Sequence, residues 1–315
     1  MRSLSFDVPE SSRHADFEST ESLLARAFPP ELTISKQRHR QLERIDRIRN
    51  DPERRGDRLG YTSRPFVLCG LPVRRPPRGQ LLFERRNGKF KLQLLGHPES
   101  GLPFGQDRLI LVFLATLAVR QKSPTLRFRS GAEMLEMFGM QKGGKEYRRL
   151  VAGIDRIFGS TIFFGSERTA EGAQLFSKAR FHFVRETHIW FDRDSSRTHS
   201  AGHRENEIVL SDEFFREITE HPIPTDLEVV RLLAASPGAL DLYLWITYRA
   251  FTVKTRQSIP LFGPQGLQAQ LGCADYSRQR RFRAMIDQWI QTITVVCPQI
   301  TKRVAIASEH IELLR

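Results

Sequence analysis

Hydrophobic and polar positions fall into a regular pattern only from about Arg64 onward. "PFVLCGLPVRR" and "LLFERRNGKFKLQLL" read as strands, and Asn87-Gly88, set between alternating runs, predicts a two-residue hairpin turn. After "GHPESGLPFG" an apolar run predicts a long helix from about Asp107 to Arg120. Leu150, Ile154 and Ile157 then share one helical face, which leaves Lys145, Arg148, Arg149 and Arg156 outside. Much later Phe282, Ile286, Trp289 and Ile293, spaced four, three and four, make a second buried stripe. Arg280, Arg281, Arg283 and Gln288 occupy the face left over. Each helix runs into β-prone residues, "TIFF" with "AQLFSKARFHFV" after the first and "ITVVCPQITKRVAIA" after the second. Residues 1 to 62 carry no sustained apolar pattern; Leu42, Ile45 and Ile48 allow one short basic helix in an otherwise solvated tail.

The pattern repeats. "VRQKSPTLRF" (119–128) lies over "VKTRQSIPLF" (253–262), each after a long apolar helix and each leading into a short strand. "EMLEMFG" and "GLQAQLG" follow, two short helices closed by Gly139 and Gly272, and then a second helix that starts in cations. The motifs "AGID" and "AMID" fall 132 residues apart. Helix, strand, helix-turn-helix and β-hairpin make a winged-helix unit. The expected fold class is therefore α+β, with tandem winged-helix domains. Residues 1–62 would be a basic, largely flexible extension and 63–195 a first winged-helix domain preceded by a β-hairpin. Residues 196–205 would be a polar linker and 206–315 a second, C-terminal winged-helix DNA-binding domain.

Charge narrows the partners. Forty-nine Lys+Arg against 36 Asp+Glu give a net charge of +13, a surplus that draws polyanions. A membrane is the poorer partner, because the longest apolar run, Leu109 to Val119, falls short of the about 20 residues a span needs. The first residues lack the apolar core of a signal peptide. Cys69, Cys273 and Cys297 are scattered, neither a disulfide framework nor a zinc pattern, which fits a reducing cytoplasm and buried thiols.

The chemistry-bearing candidates then reduce to one class. "GMQKGGKEYRR" holds most of a phosphate-binding loop, but such a loop needs a strand before its glycines and Ser or Thr after its lysine. Here a helix precedes and Glu146 follows Lys145, so the glycines read as the turn of a helix-turn-helix. A nucleotide-dependent enzyme built on Lys145 stands as the competing reading from another class. His199 and His203 have metal-like spacing but lie in a polar loop without helical period. "RFHFV" lacks the second histidine of a nicking enzyme, so no catalysis, metal or cofactor is expected. Recognition of double-stranded DNA remains. Arginine pairs bidentately with guanine and glutamine with adenine, so Gln279, Arg280, Arg281 and Arg283 are the expected base readers. Lys142, Lys145, Arg148, Arg149, Arg278, Lys302 and Arg303 are expected on the backbone, the last two from the wing.

Two long segments carry a family likeness: "RRNGKFKLQLLGHPESGLPFGQDRLILVFLATLAVRQKSPTLRF", and "LSDEFFREITEHPIPTDLEVVRLLAASPGALDLYLWITYRAFTVKT" running on into "IPLFGPQGLQAQLG". With "GLPFGQDR", "VRQKS" and "SPGALDLYLWITYR" as its most specific motifs, the chain from about residue 60 to 315 resembles the plasmid-encoded RepA replication initiators. The resemblance implies a cytoplasmic, plasmid-associated bacterial protein that binds repeated sites at its origin and helps open the duplex. It would exist as homodimer and monomer, and recruit the host initiator and replicative helicase. It further implies base reading by Gln279 to Arg283, and backbone contacts or dimer support by Lys145, Arg148 and Arg149. "CADYSRQRRFRAMID" is the part that varies with the target, so the bases read do not carry over. A dimeric winged-helix transcriptional repressor is the alternative. Finally, "GQLLF" (79–83) is similar to peptides that grip the replication sliding clamp, although it falls inside the predicted hairpin.

Overall fold

The computed structural model describes residues 58–170, 173–189, 206–253, 255–271 and 278–314, all within the unit Asp51–Arg315. The expected extension up to residue 57, the linker 196–205, the histidine pair and Cys273 lie outside the described residues.

The chain enters through strand β1 (Leu59–Thr62) and helix α1 (Arg64–Cys69), then makes a hairpin of β2 (Leu82–Asn87) and β3 (Phe90–Leu95). The first copy of the repeat follows: α2 (Arg108–Gln121), β4 (Thr125–Phe128), α3 (Gly131–Met137) and α4 (Gly144–Phe158). It closes with the long hairpin of β5 (Thr161–Ala170) and β6 (Ala173–His182). Next come β7 (Val184–His188), β8 (Asn206–Leu210), α5 (Asp212–Glu220), β9 (Ile223–Asp226) and α6 (Leu227–Leu233). The second copy is α7 (Pro237–Thr252), β10 (Gln257–Pro260), α8 (Leu267–Leu271) and α9 (Gln279–Val296), with the short hairpin of β11 (Val304–Ile306) and β12 (His310–Leu313). The architecture is α+β.

The strands form antiparallel sheets ordered β2-β3-β5-β6, β4-β8-β7, β10-β12-β11 and β1-β9. In the second copy the strand after the first helix pairs with the hairpin, β10 on β12. In the first copy it does not. β4 pairs with β8, which comes from beyond the expected linker, while the β5–β6 hairpin extends the β2–β3 sheet.

α2 and α7 are apolar almost all round and buried over most of their length, as the central helix of each copy must be. The residues that enter α2 fasten the copies together. Gln106 Nε2 donates to the Ala234 carbonyl at 2.9 Å. Asp107 accepts two bonds from Arg156 of α4, at 2.7 and 2.9 Å. Arg108 pairs with Asp241 of α7 at 2.9 Å and donates to the carbonyls of Leu71 and Pro72. Burial pushes the Asp241 carboxyl up to about 6, with the Arg108 guanidinium opposing the shift. At the start of α7, Gly238 lies where a Cβ would overlap the Trp289 ring of α9, so that ring packs directly on the α7 backbone. The specific motifs "GLPFGQDR" and "SPGALDLYLWITYR" thus supply the joint between the copies.

Three sequence expectations change. "PFVLC" is helix α1, not strand: Pro65 sits in its first turn, where its fixed φ suits a helix, and every residue from Pro65 to Cys69 is buried. The hairpin turn is Gly88-Lys89, one residue later than expected, since Asn87 still pairs with Phe90 and Gly88 alone takes positive φ, at 58°. This frees Asn87 for a structural task. It is buried, donates to the Leu68 carbonyl and accepts from Arg249 of α7, both at 2.7 Å. "ITVV" continues α9 rather than starting a strand, because Ile293 and Val296 prolong the buried stripe beyond Trp289.

Candidate nucleic-acid interface

The inward stripe of α9 decides what its outer face presents. Phe282, Ile286, Trp289, Ile293 and Val296 are buried, and Phe282 meets Phe262 edge-on at 6.2 Å. Arg278, Gln279, Arg280 and Arg281 are exposed at the start of the helix, and Gln288 is exposed two turns later. Arg278 is the N-cap, with extended backbone and no side-chain cap, and the first turn holds no acid. Cations here oppose the helix dipole, which favours negative charge at this end. Helices α5 and α6 follow that rule: Ser211 caps α5 ahead of Asp212 and Glu213, and Asp226 caps α6 ahead of Glu228.

Arg283 is placed differently from its neighbours. It is half-buried, its Nε bonds both oxygens of Asp287 at 3.1 Å, and its Nη1 donates to the carbonyls of Ala307 and Ser308. These carbonyls belong to the tip of the β11–β12 hairpin, so Arg283 ties that tip to the first turns of α9. Lys302 and Arg303 are exposed at the hairpin's other end, about 13 Å of extended chain from the tip. The tip thus meets α9 through Arg283, on the helix whose start carries Gln279, Arg280 and Arg281, while Lys302 and Arg303 stay at the hairpin's base.

On the first copy, Lys142, Lys145, Arg148 and Arg149 are exposed around the start of α4, and Gly143 and Gly144 have open space about them. This face is partly neutralised: Lys142 pairs with Glu136, and Arg149 with Glu146 at 3.2 Å. Arg156 is not on the outer face, contrary to the helical period. Its side chain is 15 % exposed, locked on Asp107 and stacked over the Phe104 ring at 4.6 Å. The partner that draws it inward is 49 residues away, beyond the reach of periodicity. The residues before Gly139 form helix α3, as the helix-turn-helix reading requires. Of the clamp-like peptide Gln80-Leu81-Leu82-Phe83, the last two residues lie in β2, paired with Leu95 and Leu94.

Among the described residues no group of three or more His, Cys, Asp or Glu could hold a metal ion, and no helix is long and apolar enough to cross a membrane. Cys69 is buried, and its thiol is pushed up to about 12 by that burial.

Comparison with solved structures finds the selenomethionine form of domains 2 and 3 of RctB, at a TM-score of 0.50 and 14 % identity over 79 % of this chain and 95 % of that one. A second structure of RctB domains 2–3 matches at 0.48 and 14 %, over 78 % and 95 %. The first likeness is one of fold. No curated protein sequence matches significantly. The profile of the family described as "Plasmid encoded RepA protein" matches residues 102–259, half of the 315-residue chain. That match takes in the Gln106–Arg108 joint, all of α4 and all of α7, and the chain therefore belongs to the family of plasmid-encoded RepA proteins.

Proposed function

We propose that this protein is a plasmid replication initiator that binds repeated sites at its origin as double-stranded DNA, opens the adjacent duplex and recruits host replication proteins. In this reading each copy of the repeat is a winged helix and the protein works by binding, without catalysis or cofactor, in the bacterial cytoplasm on its plasmid. The observation that carries it is the start of α9. Three exposed arginines and a glutamine stand where the helix dipole disfavours cations, with no acid in the first turn. A phosphate of the DNA backbone would satisfy the dipole and Arg278 together, and would set Arg280 and Arg281 against the base edges beside it. Family membership and the sheet order β10-β12-β11, with the hairpin beside α9, support the same reading.

Within it, Gln279, Arg280 and Arg281 read bases while Arg283 positions the wing. Arg278, Lys302 and Arg303 contact the backbone, as do Lys142, Lys145, Arg148 and Arg149 on the first copy. Arg281→Ala should cost about 1–3 kcal/mol on the specific site and little on random DNA. Lys145→Ala should weaken binding to all sequences alike and lower the salt slope by about one. Equal losses for Arg281→Ala on both DNAs would reverse the assignment of reader and clamp. A footprint on supercoiled plasmid, without ATP and with a single-strand-specific reagent, tests the whole. Protected direct repeats beside a reactive A+T-rich stretch mean initiator; one protected palindrome on an intact duplex means a dimeric repressor.

A further inference from the structure

Between the turn of the β2–β3 hairpin, the last turns of α7 and strand β10 lies a cavity of about 420 Å³. Among the described residues its lining includes two cations, Lys89 and Arg249, and no aspartate or glutamate, while Gln257, Ser258 and Gln265 add neutral polar groups. Arg249 is fixed from two sides: Nη2 donates to the buried Asn87 at 2.7 Å, and the guanidinium lies 5.5 Å from the centre of the Trp245 ring. Its Nε is buried and has no hydrogen-bond partner, and no carboxylate pairs with it among the described residues. Burial accordingly pulls the guanidinium below its usual range. The C-terminus of α7 offers Arg249 a partial negative charge, but its carbonyls leave the Nε hydrogen unused. A half-buried guanidinium without a carboxylate partner is a standing cost that an anion held against it lowers.

We infer that this cavity is an oxyanion site of the phosphate class, held by Arg249 and Lys89 across the seam between the β2–β3 hairpin and the second copy of the repeat. A phosphate offers several acceptor oxygens at once, which suits a fixed guanidinium, an exposed ammonium 5.3 Å from the Phe90 ring centre, and nearby amides. The volume leaves room for the group that carries the phosphate. Two sources share this chemistry: the backbone of bound DNA, and a free phosphorylated small molecule.

Thermal unfolding of the full chain, with inorganic phosphate titrated at constant ionic strength, reads the site directly. Wild type should gain about 3 °C at ten times the dissociation constant and go on rising with the logarithm of phosphate concentration above it. Lys89→Gln should abolish the gain, and its fold is not at stake because Lys89 is an exposed turn residue. Arg249→Gln should do the same. A second arm measures the salt dependence of binding to a random-sequence duplex. A slope lower by about one in Lys89→Gln identifies the DNA backbone as the source; an unchanged slope with the phosphate response intact in wild type identifies a free ligand. No gain in wild type beyond that of either variant, together with an unchanged slope, or a gain that both variants keep, overturns the inference. The phosphate arm holds whether or not the protein binds an origin.

Discussion

Asp107→Asn strikes the joint between α2 and α4 with the least disturbance of shape. Asparagine fills the same volume, and its carbonyl oxygen can still accept the Phe104 amide hydrogen that Asp107 takes at 2.9 Å. What disappears is the charge opposite Arg156 and one of its two acceptors. Both side chains are nearly out of water, 7 % exposed for Asp107 and 15 % for Arg156. A surface pair of this kind would be worth about 0–1 kcal/mol. Removing one partner of a buried pair instead strands the other, at about 3–5 kcal/mol. For a unit of this size that is a fall in Tm of roughly 10 °C. Urea unfolding should show a lower midpoint at unchanged m, and Arg148→Met, exposed on the same helix, should stay within about 0.5 kcal/mol of wild type. Arg156→Met should cost about as much as Asp107→Asn, and the double variant less than the two together, since one stranded charge cannot be lost twice. If each single variant cost under about 1 kcal/mol, the pair would be effectively solvated and the joint would rest on apolar contacts alone.

Two further expectations follow from the interior. Gly238→Ala should destabilise by about 1–3 kcal/mol in urea, with a change in Trp289 fluorescence, because a methyl group must displace that ring; an unchanged emission spectrum would mean the α7–α9 contact is looser than described. Asp241 ionises near 6 in the folded protein and near 3.8 in the unfolded chain, so the unfolded form sheds its proton first. The stability this group contributes is full below about pH 4 and lost as pH rises through about 6; Asp241→Asn should flatten that part of the stability–pH profile, and an unaltered profile would place the titration elsewhere.

The parts legible in the sequence were those set by local period. Phe282, Ile286, Trp289 and Ile293 stand four, three and four apart, and the helix buries them all. Likewise the recurrence of helix, strand, helix and helix is legible from short segments that lie over one another, 119–128 on 253–262 and "AGID" on "AMID". Where burial surrounds an element the period vanishes: α1 shows no alternation and no stripe, only the early proline that argues for a helix. Charged residues were legible as cations but not as partners. Arg156 and Arg283 sit at outward-looking positions of their helices, yet Asp107 draws one inward and the hairpin tip holds the other. In the sequence Asn87 reads as a turn residue because Asn-Gly is a turn signal, whereas its buried bonds to Leu68 and Arg249 depend on elements 19 and 162 residues away. Arg278, Arg280 and Arg281 are legible as cations in the sequence; their opposition to the helix dipole needs the located helix start.

Strand β8 has a consequence for how this chain can be divided. It sits between β4 and β7, with Asn206 bonded to the Arg129 carbonyl at 2.8 Å and Ser211 to the His182 carbonyl at 2.5 Å. A fragment that stops before β8 would leave β4 and β7 as two open edges facing an empty slot, the sort of surface that captures stray strands. A protease that nicked the chain between residues 189 and 206 would do the opposite: it would break one peptide bond and release nothing, because the second piece would remain zipped into the sheet of the first. The halves are consecutive in sequence and interlocked in space.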